Sequence, residues 1–499
     1  MKLSVLLQDI AYQVLQGDVE TLVTSIENDS RKVEPGALFF CIPGSVVDGH
    51  QFATDVVDKG AVVLVVEHAV DVPEHVTVIQ VERARYAMGM ISAAFYGYPS
   101  RELSVIGITG TKGKTTTTYM IQSMLLSAGK KTGLIGTIES IIGDVRTPAN
   151  NTTPESLQLQ KMLREMADAG LDSVVMEVSS QGLMLDRVAG VEFDYGIFSN
   201  LSEDHIGPNE HTDFEDYKYW KKQLFSLCKV GIFNVDDAYA NDMIDGATCK
   251  VITYGKQTDA NYVAKDVHLF NEDGALGVAY HVSGDMDTDI QVNMPGDFSV
   301  HNSLAAIAVA KDMGVSEDTI KQVLKTITVK GRVELIPISD AFTILIDYAH
   351  NAMSLESILD CLREYKPNRL ISVFGCGGNR SKVRRFEMGE VSGKKADLTI
   401  ITSDNPRFEE PLDIIKDIVT GMSKTDGEYI EIPDRKEAFR YAIMNAKQGD
   451  IIVLAGKGHE DYQEIKGVKH HMDERELIRE VLEEENVEEI CGYNNRYFA

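Results

Sequence analysis

The sequence predicts an α/β protein of three domains: a small N-terminal α/β domain, a central domain with a mostly parallel sheet, and a Rossmann-like C-terminal domain. The 499 residues exceed what one ordinary hydrophobic core accommodates. Short apolar runs alternate with helical patterns along most of the chain, as in α/β folds. The pattern changes near residues 101 and 330, which places the domains at 1–100, 101–330 and 331–499.

The N-terminal segment combines the apolar runs LFFCIP, AVVLVV and VTVIQV with turns that contain Pro-Gly, Gly-Ser and Asp-Gly. This pattern is typical of a small α/β domain. The opening stretch MKLSVLLQDIAYQVLQGDVE is not expected to be a signal peptide, because Asp9 interrupts the apolar run and no small-residue cleavage site follows. We expect an amphipathic helix there.

Charge and cysteine usage restrict the possible functions. The formal net charge is -28, which disfavours binding to the phosphate backbone of nucleic acids. The six cysteines lack the spacing of metal ligands, which favours reduced thiols in a cytoplasmic protein. No apolar run reaches about 18 residues, so no membrane span is expected. We expect a cytoplasmic monomer that binds small molecules.

The later apolar runs have the length of strands. DSVVMEV, YGIFSN, VGIFNV and KVITYG alternate with helical stretches, which predicts a mostly parallel sheet covered by helices. After residue 330, the runs TILIDYAH, RLISVFG, LTIITSD and DIIVLAGKG each end in a polar loop. Ligands bind at the carboxyl ends of such strands, so all four loops are candidate sites. The final stretch VLEEENVEEICGYNNRYFA predicts a helix end and an irregular tail.

The strongest single motif is GITGTKGKTTTT, at residues 107–118, between an apolar run and a helix expected to begin near Thr115. Ile108 stands where the strict P-loop pattern has glycine, yet the essential parts remain. Glycines let backbone N–H groups approach phosphate, the helix N-terminus is positive, and Lys114 can neutralise the β- and γ-phosphates. A structural turn is the alternative, but Gly-Lys-Thr at a strand-to-helix junction favours a P-loop ATPase-like domain. The candidate phosphate-binding residues are Gly110, Thr111, Lys112, Gly113, Lys114, Thr115 and Thr116.

Three further segments place polar groups where a plain fold does not require them. Glu177 ends the run VVMEV, Asp204 and His205 follow a later strand, and Lys221 lies in FEDYKYWKKQLF. Taken singly, each has a structural interpretation: a cap, a hydrogen-bonded histidine and a solvated helix face. NTPases, kinases and ligases all use a P-loop, so only the combination of motifs distinguishes among these classes.

In combination, these segments resemble the Mur ligase family, and within it the UDP-N-acetylmuramoyl-tripeptide synthetases. The resemblance covers nearly the whole chain. It implies a uridine-nucleotide-sugar domain, a domain for ATP and Mg²⁺, and a domain for the incoming amino acid. The implied reaction is ATP-dependent ligation of an amino acid to a UDP-muramoyl peptide through an acyl phosphate, in peptidoglycan synthesis. The matching motifs are NDSRKVEPGALFFCIPG, GITGTKGKTTT, NTTPESLQLQ, MEVSSQGLMLDR, SNLSEDHIG, FEDYKYWKKQLF, GDFSVHNSLAA, KGRVELI, DYAHNA, VFGCGGNR, TSDNPR and AGKGHEDYQ.

The resemblance also implies roles for individual residues. Glu177 and His205 match magnesium ligands, which Thr115 complements, and Lys221 matches a lysine that CO₂ carbamylates to give a further ligand. The resemblance implies that Lys114 is catalytic, together with Glu177, His205 and Lys221. The positions that match contacts to the muramoyl-peptide substrate are Ser30, Asn151, Thr152, Thr153, Ser179 and Arg187. The positions that match the surroundings of ATP are Asn302, Arg332, Asp347 and His350.

The run TSDNPR bears on which amino acid is added, because Asp-Asn-Pro-Arg is typical of the family members that add meso-2,6-diaminopimelate. This diamino acid has a second α-amino-acid head. Arg407 can pair with its distal carboxylate through two parallel hydrogen bonds, and Asn405 offers both a donor and an acceptor. Glu460 suits the distal ammonium group. The full set of matching positions is Arg380, Asp404, Asn405, Pro406, Arg407, Gly456 and Glu460.

Four positions depart from the family pattern. Gln181 stands where histidine is usual, Leu185 where some relatives have a polar contact, Ala352 where proline is common, and Ser381 where aspartate is usual. Ser381 is nearest in sequence to the predicted amino-acid site. L-lysine or another diamino acid therefore remains an alternative acceptor.

Two other functions share parts of this pattern. Folylpolyglutamate synthases share the P-loop and the metal-binding lysine, but NTTPESLQLQ and the GKGHE loop argue against that activity. A non-catalytic Mur-like subunit that only binds nucleotide would require the loss of a catalytic candidate. All four of these candidates are present: Lys114, Glu177, His205 and Lys221.

Overall fold

The structure is a computed structural model that describes residues 1–44, 47–207, 210–257, 259–272 and 275–485. The chain divides into two compact units, residues 1–263 with 304–320, and residues 264–303 with the chain from 321 onward. Its three main sheets occupy residues 13–80, 104–292 and 334–455. The domain boundaries at residues 100 and 330 stay predictions.

The N-terminal sheet has the strand order β1-β5-β4-β3-β2, with parallel neighbours except for the antiparallel pair β1 and β5. Alternate residues face two hydrophobic clusters, so that Leu38 and Phe40 pack on one face and Ala37 and Phe39 on the other. The bounds are α1 Leu3–Leu6, β1 Gln13–Gln16, β2 Ser25–Glu27, β3 Ala37–Phe40, α2 Ala53–Asp58, β4 Val63–Val66, β5 Thr77–Gln80 and α3 Ala84–Phe95.

The opening amphipathic helix is shorter than the sequence pattern predicts. Helix α1 spans only Leu3–Leu6, and Gln13–Gln16 form strand β1 instead. Pairing of this segment with β5 supplies backbone hydrogen bonds that an isolated helix of this length cannot match. Tertiary pairing therefore overrides the local helical pattern.

The central sheet has the order β16-β15-β14-β13-β12-β11-β6-β10-β7-β8-β9. Its middle strands pair in parallel, as predicted, whereas β7, β8 and β9 at one edge and β15 and β16 at the other form antiparallel pairs. The strand bounds are β6 Ser104–Thr109, β7 Thr132–Ile135, β8 Glu139–Ile142, β9 Val145–Pro148, β10 Ser173–Glu177, β11 Phe193–Phe198, β12 Cys228–Asn234, β13 Lys250–Gly255, β14 Tyr262–Glu272, β15 Ala275–Gly284 and β16 Thr288–Val292. The helix bounds are α4 Lys114–Ser127, α5 Ser156–Asp168, α6 Ser180–Met184, α7 Phe214–Lys222, α8 Ala240–Ile244, α9 Phe298–Asp312 and α10 Glu317–Thr326.

The C-terminal sheet has the order β17-β18-β22-β19-β20-β21 and is parallel except for the pair β17 and β18. Its two faces pack against separate hydrophobic clusters, which confirms the predicted arrangement of strands between helical layers. The bounds are β17 Glu334–Ile336, β18 Thr343–Asp347, α11 Ala352–Arg363, β19 Leu370–Phe374, α12 Lys382–Lys395, β20 Leu398–Ile401, α13 Pro411–Met422, β21 Tyr429–Glu431, α14 Arg435–Met444, β22 Ile451–Ala455, β23 Tyr462–Ile465, β24 Val468–His471 and α15 Glu474–Glu484.

Two predictions from composition also bear on the described residues. No helix there is long and apolar enough to cross a membrane. The described cysteines carry free thiols. The predicted irregular tail, including Cys491, lies outside the described residues.

Candidate functional site

The glycine-rich loop joins β6 to α4 at the middle of the central sheet. Gly110 has φ +147°, and a Cβ atom there would lie 1.9 Å from the Ser199 Oγ atom. Gly113 has φ +85° and precedes Lys114, the first residue of α4. Only glycine fits at the first of these positions, and positive φ favours it at the second. The Thr111 and Lys112 backbone N–H groups donate to Asn200, each at 2.9 Å, so within the loop they are already used. The N-terminus of α4, which begins at Lys114, is the part of this arrangement that suits phosphate.

Two lysine side chains meet at one carbonyl oxygen of this loop. The Lys114 ammonium donates to the Gly110 carbonyl at 2.8 Å and to the Thr111 carbonyl at 3.1 Å. The Lys221 Nζ atom donates to the same Gly110 carbonyl at 2.9 Å. The Lys221 side chain is buried, and this burial, together with the nearby charge of Lys114, lowers the pKa of Lys221 well below its ordinary value. Lys221 therefore tends towards the neutral, nucleophilic amine.

Helix α7 holds Lys221 in this position. The Asp213 carboxylate accepts a hydrogen bond from the Asp216 backbone N–H at 2.9 Å and so caps the helix. One turn before Lys221, the Tyr217 Oη atom lies 3.1 Å from the Thr111 Oγ1 atom of the glycine-rich loop. The Tyr217 ring centre is 4.5 Å from the Lys221 Nζ atom. The same tyrosine thus contacts both the loop and the lysine.

Glu177 ends β10, which lies between β6 and β7, and its side chain is only 1% exposed. One carboxylate oxygen accepts the Thr137 backbone N–H at 2.9 Å, and the other accepts the Thr137 hydroxyl at 2.9 Å. Thr137 follows β7 and was not among the predicted site residues. Its two donors stabilise a buried carboxylate in one orientation.

The predicted muramoyl-peptide contacts around Thr153 lie beside Glu177. The Thr153 hydroxyl donates to the Glu177 carbonyl at 3.0 Å and accepts the Ser179 backbone N–H at 3.0 Å. The Arg187 guanidinium donates to the Thr153 carbonyl at 3.2 Å. Thr152 is linked to the same cluster, because its hydroxyl lies 3.1 Å from that of Thr137. Asn151 precedes these residues and is exposed.

His205 differs in its surroundings from the buried members of the site. Its side chain is 52% exposed, its backbone has φ +54°, and its Nδ1 atom lies 3.3 Å from a Glu210 carboxylate oxygen. In the described part of the chain no contact joins His205 to Glu177 or Lys221. Its role as a magnesium ligand stays a prediction, as does that of Thr115, which is buried in the first turn of α4.

Ser30 lies in the N-terminal segment, away from the loop that carries Lys114. It is half-buried, and its carbonyl accepts a hydrogen bond from the Lys59 ammonium at 2.9 Å. Neighbouring Asp29 and Arg31 form an ion pair at 2.8 Å. The proposed contact between Ser30 and a uridine nucleotide stays a prediction.

Three of the predicted ATP contacts in the second unit gather around Tyr348, which the sequence did not single out. The Arg332 guanidinium lies over the Tyr348 ring at 4.9 Å, and the His350 ring centre is 4.6 Å from it. The Asp347 carboxylate accepts the backbone N–H groups of Val333 and Ala349, each at 2.9 Å. Asn302, the fourth, is buried on α9.

The predicted amino-acid site lies at the carboxyl ends of β20 and β22. The Asn405 side-chain amide donates to a Glu460 carboxylate oxygen at 3.0 Å. Asp404 accepts the Asn405 backbone N–H at 2.6 Å, and its other oxygen lies 3.0 Å from where a Cβ atom on Gly456 would be. Gly456 also has φ +109°, so glycine is favoured there on both grounds. The structure thus brings four of the seven predicted residues together.

Arg407 has a bracing role within the same region. Its Nε atom donates to the Glu464 carboxylate at 3.0 Å, and its Nη1 atom donates to the Gly378 carbonyl at 2.8 Å. It thereby links the loops that follow β19 and β20 to strand β23. Arg380, in the loop after β19, is exposed. Recognition of a substrate carboxylate by either arginine stays a prediction.

The positions that depart from the family pattern lie next to helix starts or ends. Gln181 and Leu185 belong to or follow the short helix α6. Ala352 is the first residue of α11, which Asn351 caps by accepting the Ser354 backbone N–H. Ser381 precedes α12, and its side chain makes no capping hydrogen bond.

A separate cluster of possible metal ligands consists of Asp48, His50 and His68. The two imidazole rings are stacked, with centres 3.7 Å apart and planes 19° apart. The lone pairs of a histidine lie in its ring plane, so those of two stacked rings cannot converge on one ion. The His50 Nε2 atom also accepts the Glu67 backbone N–H at 3.0 Å. The three side chains therefore use their hydrogen-bonding groups within the cluster, where the Asp48 carboxylate contacts both imidazole rings.

The central sheet carries a phosphate-type loop between parallel strands. A buried carboxylate ends an adjacent strand, and a buried lysine lies at the loop itself. Together these features define a nucleotide-dependent enzyme of the P-loop class. Family models for the Mur ligase family catalytic domain, the Mur ligase middle domain and the Mur ligase glutamate ligase domain match residues 22–96, 108–310 and 331–458. The chain belongs to the Mur ligase family.

Several relatives match over nearly their entire length. A protein from Clostridium acetobutylicum named UDP-N-acetylmuramoyl-L-alanyl-D-glutamate--2,6-diaminopimelate ligase 1 is 43% identical, across 97% of this chain and 100% of its own. The ligase of the same name from Clostridium perfringens is 42% identical, with the same shares of each chain. A solved structure of a UDP-N-acetylmuramoyl-L-alanyl-D-glutamate--2,6-diaminopimelate ligase has TM-score 0.73 and 30% identity, covering 97% of this chain and 99% of that one.

Proposed function

We propose that the chain is the ATP-dependent ligase that adds meso-2,6-diaminopimelate to UDP-N-acetylmuramoyl-L-alanyl-D-glutamate. The observation that carries this proposal is the 43% identity, over 97% of the chain, to a relative that bears the name of this activity. The motif Asp404 to Arg407 adds support, because it is the part of the chain that bears on the acceptor. The enzyme then acts in cytoplasmic peptidoglycan synthesis, and hence in cell-wall growth, cell shape and division.

The reaction activates a carboxylate, which is a poor acyl donor at neutral pH. A carboxylate of the terminal D-glutamyl residue attacks the γ-phosphorus of ATP, which gives an acyl phosphate and ADP. The neutral amine of the incoming amino acid then attacks the acyl carbon and loses a proton as the amide bond forms. Inorganic phosphate leaves with the electron pair of the broken carbon–oxygen bond. Lys114, the first residue of α4, is proposed to neutralise charge on the transferred phosphoryl group.

The residues around the loop suit Mg²⁺, a hard cation that prefers oxygen ligands. Glu177 supplies a buried carboxylate whose orientation Thr137 fixes. When bound, the ion polarises phosphate oxygens and offsets their charge. We assign Glu177, His205, Thr115 and carbamylated Lys221 to this ion.

Carbamylation of Lys221 is supported by the environment of its amine. Carbamate formation needs a neutral amine, which attacks CO₂ and releases a proton, and the lowered pKa of Lys221 favours that form. The modification also gives Lys221 a negative charge close to the Lys114 cation, since both side chains contact the Gly110 carbonyl. A carbamate at this position is attracted to Lys114, whereas a protonated Lys221 would be repelled by it.

The remaining assignments follow the same resemblance. Thr152, Thr153, Ser179 and Arg187 are proposed to contact the muramoyl peptide, together with Asn151 and Ser30. Asn302, Arg332, Asp347 and His350 are proposed to surround ATP. L-lysine is the alternative acceptor, but it lacks the distal carboxylate that Arg407 is proposed to bind.

The test is a ligation assay with purified enzyme, ATP, Mg²⁺ and UDP-N-acetylmuramoyl-L-alanyl-D-glutamate, against a panel of amino acids. We expect ADP, phosphate and a tripeptide product with meso-2,6-diaminopimelate, and much lower kcat/KM with L-lysine. A preference for L-lysine would contradict the acceptor assignment and leave the ligase assignment standing. Absence of product with every acceptor would contradict both.

A further inference from the structure

We propose that Lys457 is a positioning residue that makes Asn405 a hydrogen-bond donor and Glu460 a hydrogen-bond acceptor towards an α-amino-acid head. This inference deepens the proposed function, on which the identity of the amino acid rests. Lys457 was not among the residues that the sequence predicted. It follows strand β22, in the loop that also contains Gly456.

The Lys457 side chain is fully buried, with 0% exposure, and its ammonium group is completely used. Its Nζ atom donates to the Asn405 Oδ1 atom at 2.9 Å, to the Glu460 Oε2 atom at 2.9 Å and to the Tyr462 carbonyl. An ammonium group has three N–H bonds, so each has one acceptor. Lys457 therefore acts on a ligand only through the groups that it holds.

The first of these groups is the Asn405 amide. Its Oδ1 atom accepts hydrogen bonds from both the Lys457 ammonium and the Glu464 backbone N–H, the latter at 2.8 Å. Both lone pairs of the carbonyl are thus occupied, and the amide cannot flip without losing them. The Nδ2 atom donates one hydrogen to Glu460 and has a second hydrogen, because a primary amide carries two. Towards a ligand, Asn405 can therefore only donate, which corrects the expectation from the sequence that its side chain offers an acceptor as well.

The second group is the Glu460 carboxylate. Its Oε2 atom accepts from both Lys457 and Asn405, whereas no hydrogen bond to Oε1 is found within the described residues. The side chain is 17% exposed, so this oxygen belongs to a partly open group. The charges of Lys457 and Glu460 cancel, which suits a ligand head that is itself neutral overall.

A donor from Asn405 next to an acceptor from Glu460 is complementary to a zwitterion. The carboxylate of an α-amino acid accepts hydrogen bonds and its ammonium group donates them. Without the Lys457 cation, Glu460 would lose the neutralising partner, and its Oε2 atom would compete with Oε1 for the ligand ammonium. Lys457 is thus expected to affect affinity for the amino acid rather than for ATP or the muramoyl peptide.

The test compares wild type with Lys457→Met, Asn405→Asp and Lys469→Met. Lys457→Met removes the buried ammonium. Asn405→Asp keeps an oxygen for Lys457 but replaces the N–H donor with a carboxylate oxygen, so it tests the role of that donor in a chain that retains Lys457 and Glu460. Lys469→Met is the matched control, because the Lys469 ammonium lies 3.9 Å from the centre of the Tyr462 ring, on exposed strand β24.

Binding of meso-2,6-diaminopimelate and L-lysine is measured by calorimetry with the muramoyl dipeptide and a non-hydrolysable ATP analogue present, alongside KM for each substrate and thermal stability. We expect Lys457→Met and Asn405→Asp to raise both Kd and KM for the amino acid about 10- to 100-fold. The KM values for ATP and the muramoyl dipeptide should stay unchanged. Lys469→Met should match wild type.

One result would overturn the inference in favour of a purely structural lysine. In that result, Lys457→Met lowers the affinity for all three substrates equally and unfolds at lower temperature, while Asn405→Asp retains wild-type affinity. If Lys457→Met does not fold, wild-type affinity in Asn405→Asp still overturns the inference, because the donor that Lys457 is proposed to orient would then not contact the ligand. Wild type that binds no α-amino acid would also overturn the inference. Wild type that binds one but ligates none would contradict the proposed function only, because the positioning role concerns binding.

Discussion

At the scale of single residues, the unusual feature is the pair of lysines at one carbonyl oxygen. Both the Lys114 ammonium group and the Lys221 Nζ atom donate to the Gly110 carbonyl, at 2.8 and 2.9 Å. A positive charge on Lys221 is disfavoured there, because the side chain is buried and Lys114 is charged. The site therefore favours Lys221 as a neutral amine, which is the form that reacts with CO₂.

This arrangement predicts that Lys221→Ala lowers ligase activity by about 10²-fold or more, because the variant loses the carbamate that is proposed to hold Mg²⁺. Lys222→Ala is the control, since the Lys222 side chain is partly exposed and its nearest carboxylate, that of Asp245, is 4.0 Å away. Rates are measured at saturating Mg²⁺ with and without bicarbonate. Wild type freed of CO₂ should recover activity when bicarbonate is added, and the alanine variant should not.

Equal rates for Lys221→Ala and wild type, at equal Mg²⁺ dependence, would rule out the carbamate. Loss of activity in Lys222→Ala to the same degree would point instead to damage to helix α7. Bicarbonate recovery in wild type alone separates these explanations, because damage to the helix does not respond to CO₂.

At the scale of elements, the sequence predicted the parallel middle strands of the central sheet, the parallel strands of the C-terminal sheet and the glycine-rich loop, because these depend on local periodicity and on short motifs. It did not predict strand β1 or the antiparallel pairs at the sheet edges. It did not predict Thr137, which lies 40 residues from Glu177 and reaches it only because β7 and β10 are neighbours in the sheet. Lys457 was missed for the same reason, since its contact with Asn405 spans 52 residues. Strand order determines such contacts, and no single-strand pattern reveals it.

The glycine-rich loop gives a prediction at this scale. Gly110→Ala should abolish nucleotide-dependent activity, because the added Cβ atom would lie 1.9 Å from the Ser199 Oγ atom and the loop would have to move. Gly129→Ala is the control: it also has positive φ, +81°, but no heavy atom lies within 4 Å of its Cβ position. The control should lose about 1–2 kcal/mol of folding free energy and keep its activity.

Chemical denaturation and initial rates of ADP formation check both variants. If Gly110→Ala retained the wild-type KM for ATP, the loop would not be the phosphate-binding element. If the two variants lost activity equally, strain from positive φ would explain the loss, and close packing against Ser199 would not.

At the scale of the whole molecule, the net charge of -28 opposes the approach of a polyanion such as ATP. Local groups must therefore overcome the overall field: the N-terminus of α4, Lys114 and a bound divalent cation. The same charge was the basis for expecting no nucleic-acid partner. A small anion held at one loop is compatible with this charge, and the absence of a nucleic-acid partner stays a prediction.

This balance predicts that a nucleotide stabilises the folded protein more strongly with Mg²⁺ than without it. A non-hydrolysable ATP analogue with Mg²⁺, at about 100 times its Kd, should add about 2.7 kcal/mol to the free energy of unfolding and raise Tm by a few degrees. With EDTA in place of Mg²⁺ the shift should be smaller, because the acidic protein then meets the uncompensated charge of the nucleotide.

The two lysines of the loop should differ in their contribution to this shift. With Mg²⁺ present, Lys114→Ala should reduce the shift in Tm. Lys112→Ala should reduce it less, because Lys114 is the loop lysine whose side chain donates to the Gly110 carbonyl. Differential scanning calorimetry over a range of nucleotide concentrations measures these shifts, with sodium chloride held constant since ionic strength screens the field. An equal shift in wild type and Lys114→Ala would show that the nucleotide is held elsewhere, and an equal shift with and without Mg²⁺ would show that the cation does not contribute to binding.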